Sequence, residues 1–480
     1  MLKISEDLRS GRFLALLAIS LIGYSSMIVL QAFNADDIIQ GQPISGDTNT
    51  FLAQGRWGYY FVYHVLQDAN PLGPFSLILG VILLAISAAI GASTLQFRSR
   101  AASDLFVVLS TISLYYASVL SYDSTRIAYP LSTLMAIAGV SLVWRGKYLV
   151  AIALFAVSPA IYPASTQVTL TFASAVVLMS ALRGIDLKRT LWKTATFVIC
   201  LACGLGLYIA LTKLSPWVSG IPLSGRSAID PIGALSEYRR IVKLFLGHSI
   251  PTGHQMPYFS PAMKAFIWAL MALFAITLIL NSNKFKAPLI AASALGLILS
   301  PFALAFATPL DEFSPRALVA FSVVHALFAA VCVEFLPLKG FKTLANVSAV
   351  AAWGFIIFSA IQINGSAFDE YLSSRNDVLA TNRIITRIDE VVANSDIPMG
   401  GPIPIAVRHE APTNMSPRGA WGNARTTAWS KEWVFRQIDP RFAPVPPDVA
   451  ETLLRAAPET YWPQPNSVYV QDGVVVVIIN

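Results

Sequence analysis

Apolar runs of about 20 residues, the length that carries a helix across a bilayer core, recur along most of this chain. Roughly eleven are marked by the hydrophobic pattern, near 13–32, 73–95, 102–120, 127–144, 147–159, 163–182, 192–212, 263–281, 287–307, 317–337 and 342–362. The fifth and sixth are short and flank "SPAIYPAS", where Pro159 and Pro163 each remove a backbone donor. That stretch predicts two short spans meeting near one face, or a broken pair that dips into the membrane and lines a cavity. Helical spacing resumes in "SAFDEYLSSRNDVLATNRIITRIDEVV", residues 366–392, as a helix leaving the membrane. Proline-rich segments follow, and then "SVYVQDGVVVVIIN", whose Asp472–Gly473 turn signal predicts a closing β-hairpin. The expected fold class is an α-helical polytopic membrane protein of about eleven spans with a small C-terminal α/β domain. Its parts are residues 1–363, with outer loops 33–72 and 213–262, and residues 364–480.

Composition agrees with the pattern. Charged residues make up 13% of the chain, about half the share usual in soluble domains, and the mean hydropathy is +0.60. The net charge of +7 does not point to nucleic acid, because the cations sit in short clusters between apolar runs. Every second connection is basic: Lys3/Arg9/Arg12, Arg98/Arg100, Arg145/Lys147, Arg183/Lys188/Arg189/Lys193, Lys284/Lys286 and Lys339/Lys342. The positive-inside rule therefore expects a cytoplasmic N-terminus and, with an odd number of spans, a C-terminal domain outside. The 13–32 run lacks a small-residue cleavage site and reads as a retained helix rather than a signal peptide. Cys200, Cys203 and Cys332 lie within apolar runs without ligand partners and read as small apolar residues.

The candidate chemistry gathers on the outer loops. Asp36 and Asp37 stand side by side at the end of the first span, where an acid faces water or a polar cavity. Consecutive residues do not share a helix face, so one of the two is expected to be functional and the other orienting or solvated. "RWGYYFVYH" brings Arg56, Trp57 and a run of aromatics, the composition of a helix lying in the interface. "YYASVLSYDSTRIAYP" adds Tyr122, Asp123 and Arg126; the i, i+3 pair is either a local ion pair or a second acid beside a polar acceptor. The large loop supplies Arg226, Arg239, Arg240, His248 and His254, with "SEYRRIVKLFLGH" reading as a headgroup-bound helix or as a phosphate clamp. No metal-ligand spacing, phosphate loop or dinucleotide fingerprint occurs, so no cofactor is expected, although a divalent ion held by the acids would also serve.

Taken together, "FNADD", "GRW", "SYDS", "SPRALVAF" and the terminal "DGVVVVIIN" resemble the type-II glucosyltransferase (Gtr) family, bacterial and phage enzymes that decorate O-antigen. The family is similar in architecture to the GT-C membrane glycosyltransferases. The resemblance implies a polyprenyl-phosphate sugar donor, typically undecaprenyl-phosphate glucose, a polysaccharide or lipid-linked glycan acceptor, and transfer on the periplasmic face of the bacterial inner membrane. It also implies a first-loop acid as catalytic base, a role that maps onto Asp36 or Asp37. Arg56, Arg126, Arg226, Arg239, Arg240 and Arg316 are then the pool for the donor phosphate, and Asp123, Tyr122, Trp57, His248 and His254 are the acceptor candidates. A base without a separate nucleophile predicts inversion. The competing readings are a transporter or flippase, another GT-C transferase, and an O-antigen polymerase or ligase; charges confined to span ends favour surface chemistry over transport.

Overall fold

The computed structural model describes residues 11–32, 48–66, 72–224, 259–282, 285–306, 315–398, 400–409 and 431–479. Asp36, Asp37, Arg226, Arg239, Arg240, His248 and His254 lie outside them. The chain divides into a helical unit, Met1–Val29 with Gly46–Gly365, and a second unit, Leu30–Ser45 with Ser366–Asn480.

Among the described residues of the helical unit and the helix that runs on from it, eight helices are long and apolar enough to cross a membrane. Arg100–Thr111 and Leu114–Leu120, bent by 41°, form a ninth if they are one span. The two other expected spans are shorter helices, Gly11–Gly23 and Tyr148–Ile161, so the structure supports eight or nine crossings where the pattern predicts about eleven. Tyr148–Ile161 stops where Pro163 forces the preceding Tyr162 into extended backbone, φ −148° and ψ 110°. The last span and the helix expected at 366–392 are continuous, a single helix Lys342–Ala393 of 52 residues. Gly365, the weakest helix former at the join, is tolerated within a helix at a cost of about 1 kcal/mol and does not stop it.

Packing sorts the spans. Within the most apolar 18 residues of each span, 83% and 89% of positions are buried in Ser165–Arg183 and Phe321–Lys339, against 22% and 28% in Leu187–Ser219 and Pro261–Asn281. The first two form the core, and the last two present apolar flanks suited to lipid. The break at Ile112–Ser113 frees backbone groups that a membrane interior cannot hydrate. Tyr24 satisfies them: its fully buried hydroxyl donates to the Thr111 carbonyl (2.8 Å) and accepts from the Ser113 amide (3.2 Å).

The basic connections meet at one end of this bundle. Arg12 donates to Asp104 and to the Arg100 carbonyl, Arg183 to the Leu95 carbonyl and Lys193 to the Trp144 carbonyl. Glu334, buried near the end of its helix, accepts from the Arg98 and Ser99 amides at 2.8–3.1 Å.

In the second unit a mixed four-stranded sheet has the order β2-β1-β4-β3, with β1 Ile403–His409, β2 Phe442–Pro444, β3 Val468–Gln471 and β4 Val474–Ile479. The expected hairpin is β3–β4, antiparallel, with both Asp472 and Gly473 at positive φ (51° and 72°) as a type I′ turn demands. All of β4 is buried, and its alternation serves two layers. Val475, Val477 and Ile479 pack with Ile384, Ile385, Ile388 and Val392 of the long helix. Val474, Val476 and Ile478 pack with Leu453 of the helix Pro447–Arg455. Arg441 ties Asp389 of the long helix (3.0 Å) to Asp439 beside β2 (2.6 Å).

Candidate active site

At the other end of the bundle, the turn Tyr122–Arg126 is held in place by its own polar groups. The half-helix Leu114–Leu120 ends there with carbonyls that lack helical partners. Ser121 Oγ donates to the Ser118 carbonyl (3.0 Å), Thr125 Oγ1 to that of Val119 (2.7 Å) and Arg126 Nε to that of Leu120 (2.8 Å). Arg126 also forms the ion pair with Asp123 (3.0 Å) and donates to the Gly73 carbonyl (3.2 Å). Asp123 in turn accepts from Ser76 Oγ (2.6 Å) and the Gly73 amide (3.4 Å), which stitches the turn to the start of the helix Pro74–Leu95. Gly80, one turn further along that helix, lies directly against the turn. A Cβ there would stand 2.2 Å from the Arg126 carbonyl oxygen, closer than any real contact.

A layer of tyrosines lies beside this turn. Tyr129 stacks on Tyr162 with centroids 3.6 Å apart and planes within 9°. Tyr59 meets Tyr129 edge-on and donates from its hydroxyl to the Ser124 carbonyl (3.0 Å). Two cations border the layer. Arg56, which precedes the helix Trp57–Phe61, donates to Tyr129 Oη (3.3 Å). Arg316, in the short 3-10 turn Pro315–Leu318, places its guanidinium 4.5 Å above the Tyr122 ring, a cation–π contact, while its carbonyl accepts from Tyr162 Oη. Both guanidinium groups are half-buried, whereas Arg126 is 3% exposed. Trp57 adds an indole N–H that is buried with no hydrogen-bond partner among the described residues.

Of the residues the sequence singles out, Arg56, Tyr122, Asp123, Arg126 and Arg316 thus belong to one continuous set of contacts drawn from five separate segments, and Trp57 follows Arg56 in the chain. Arg126 donates to the Leu120 and Gly73 carbonyls and to Asp123, contacts that brace the turn. The sequence reading passes over Tyr129, Tyr162 and Ser76. For the two tyrosines the signal lies in "IAYP" and "AIYPAS", each of which sets a tyrosine immediately before a proline at a span end, whereas Ser76 carries none. Two such tyrosines on neighbouring helices form the stack.

No group of His, Cys, Asp and Glu able to hold a metal ion occurs among the described residues. Arginines that border a buried aromatic layer are held in place by it and can bind an anionic oxygen cluster.

The comparisons with known proteins bear on this geometry. No curated protein and no solved structure matches the chain. The family model for the glucosyl transferase GtrII matches residues 25–333, which takes in every span that contributes to the tyrosine layer and stops short of the long helix and the C-terminal sheet. The chain belongs to the GtrII glucosyl transferase family.

Proposed function

We propose that this membrane-embedded transferase moves a sugar, most simply glucose, from a polyprenyl-phosphate donor to a hydroxyl of a cell-surface polysaccharide such as O-antigen, on the periplasmic face. The observation that carries the reading is the pairing of Arg56 and Arg316 across the tyrosine layer, at the end of the bundle opposite the basic connections. By the positive-inside rule that end is the outer one, where nucleotide sugars are absent and a lipid-linked donor is the available activated sugar. Asp36 or Asp37 takes the proton of the acceptor hydroxyl as its oxygen attacks the anomeric carbon. The bond from that carbon to the phosphate oxygen breaks in the same step, and the electron pair leaves with the phosphate. The departing group needs no proton, because Arg56 and Arg316 stabilise its charge. Arg226, Arg239 and Arg240 are assigned to the same anion, and His248, His254 and Tyr122 to the acceptor. The Trp57 indole N–H donates to a sugar hydroxyl, which relieves a buried unpaired donor worth about 1–3 kcal/mol. Attack opposite the leaving phosphate inverts the anomeric centre.

The test is a transfer assay on the purified protein with labelled polyprenyl-phosphate glucose and polysaccharide, with and without chelator. Wild type gives labelled glycan of inverted anomeric configuration at a rate the chelator leaves unchanged. One of Asp36→Asn and Asp37→Asn lowers the rate at least a hundredfold, the scale of a lost general base, with an unchanged melting midpoint. Wild-type rates in both variants and in the double variant would remove the acids from the mechanism. Movement of the lipid-linked sugar across a vesicle membrane without a new glycosidic bond would replace the transferase by a flippase.

A further inference from the structure

The basic end of the bundle contains a cavity of about 240 Å³ whose lining includes Arg98, Arg183, Lys339, Asn281, Glu334 and Leu338. Three cations face one carboxylate there, and that carboxylate is already engaged. Glu334 accepts the Arg98 and Ser99 amides, capping the start of the helix Arg100–Thr111, and approaches Arg183 only to 3.9 Å. Arg183 sends Nη1 to the Leu95 carbonyl, while its Nη2 is buried with no hydrogen-bond partner among the described residues. A guanidinium nitrogen kept from water in this way costs more than an unpaired neutral donor and is satisfied by an anionic oxygen. Arg98 and Lys339 are exposed at the rim, and Leu338, 61% exposed, lies beside them as an apolar edge. Cations around a buried donor with an aliphatic edge match a phosphate that carries an acyl-bearing group better than they match a free ion.

We propose that this cavity binds the phosphodiester headgroup of an anionic membrane phospholipid, with Arg183 Nη2 as its buried donor and Arg98 and Lys339 as its outer contacts. The site lies at the end of the bundle away from the tyrosine layer and does not depend on which sugar or acceptor is used. Its physical effect is to neutralise the surplus charge among the ends of three helices, Ser165–Arg183, Pro261–Asn281 and Phe321–Phe335, and the start of a fourth.

The experiment titrates the full chain in neutral detergent with short-chain phosphatidylglycerol, phosphatidylcholine or inorganic phosphate. Bound lipid is read by native mass spectrometry, and the unfolding midpoint is followed in parallel. Phosphatidylglycerol is expected to bind and raise the midpoint, with phosphatidylcholine and inorganic phosphate each binding at least tenfold more weakly. Arg98→Gln combined with Lys339→Gln, both on exposed side chains, is expected to weaken phosphatidylglycerol binding roughly thirtyfold, about fivefold for each cation. Arg145→Gln with Lys147→Gln, an equal charge loss on residues that do not line the cavity, is expected to change it less than about twofold, as for screened surface charges. Equal weakening by the two double variants would reduce the binding to diffuse surface attraction and overturn the proposal. Phosphatidylcholine bound as tightly as phosphatidylglycerol, or inorganic phosphate displacing the lipid at equal concentration, would overturn it too.

Discussion

Arginine is used in two ways at the tyrosine end of the bundle, and burial separates them. Arg126 is enclosed, paired with Asp123 and bonded to two backbone carbonyls, so removing its charge leaves a carboxylate without its counter-charge and a helix end unsatisfied. Breaking one partner of a buried pair costs about 3–5 kcal/mol. Arg126→Gln is therefore expected to lower the melting midpoint of the purified protein. Arg56→Gln and Arg316→Gln, on half-buried side chains over aromatic faces, are expected to keep the midpoint and lower kcat/KM for the lipid-linked donor by roughly ten- to a hundredfold, the worth of a hydrogen bond to a charged group. A midpoint loss in all three, with kinetics of the folded fraction unchanged, would make all of them struts. The sequence carried this distinction only in part. The i, i+3 spacing made the Asp123–Arg126 pair legible, but nothing local in "SYDSTR" discloses that Ser76 and Gly73, some fifty residues earlier, complete the shell.

Between elements the decisive contacts are close approaches. The helix Pro74–Leu95 reaches the Arg126 turn only because residue 80 has no Cβ, the added atom falling 2.2 Å from a backbone oxygen. Backbone does not yield as a flexible side chain does, so Gly80→Ala is expected to push the turn away. The anticipated cost is about 1–3 kcal/mol, as for overpacked cores, measured as a lower midpoint together with a donor KM raised more than in an exposed Gly206→Ala control, where a Cβ meets nothing. The apolar pattern made nearly every helix legible, because long hydrophobic runs are a strong signal. Their bends and joins were not, for a different reason in each case. The kink at Ile112–Ser113 depends on Tyr24, almost ninety residues away, to satisfy what it exposes. The helix runs through Gly365 without a break because intrinsic propensity is a weak prior once flanking turns are packed.

At the scale of the whole molecule, charge was the most readable feature and the loops expected outside the least. Alternating basic connections predict a single basic end, and the contacts of Arg12, Arg98, Arg183, Lys193 and Lys339 gather there. The C-terminal unit was legible at its hairpin, where Asp472–Gly473 dictates the turn, and less so in its parallel pairing of β1 with β4, which requires partners some seventy residues apart. That unit carries its own pH dependence. Hydrogen bonding to Arg441 holds the Asp439 carboxyl below the ordinary aspartate value. A depressed folded-state value means that the contribution is fully present above the unfolded-state value and is lost as pH falls through the folded-state one. Amide exchange across 384–392 is accordingly expected to be faster in Asp439→Asn than in wild type at pH 7, with the difference shrinking as the buffer is taken below the aspartate range. A difference independent of pH would assign the effect to packing. Finally, the half-helix Leu114–Leu120 is clamped at one end through Tyr24 and at the other through Ser121, Thr125 and Arg126. It is a bolted plate rather than a flap: the Tyr122–Arg126 face is set before any substrate arrives. The conformational freedom a loose turn would forfeit on binding has already been surrendered in folding.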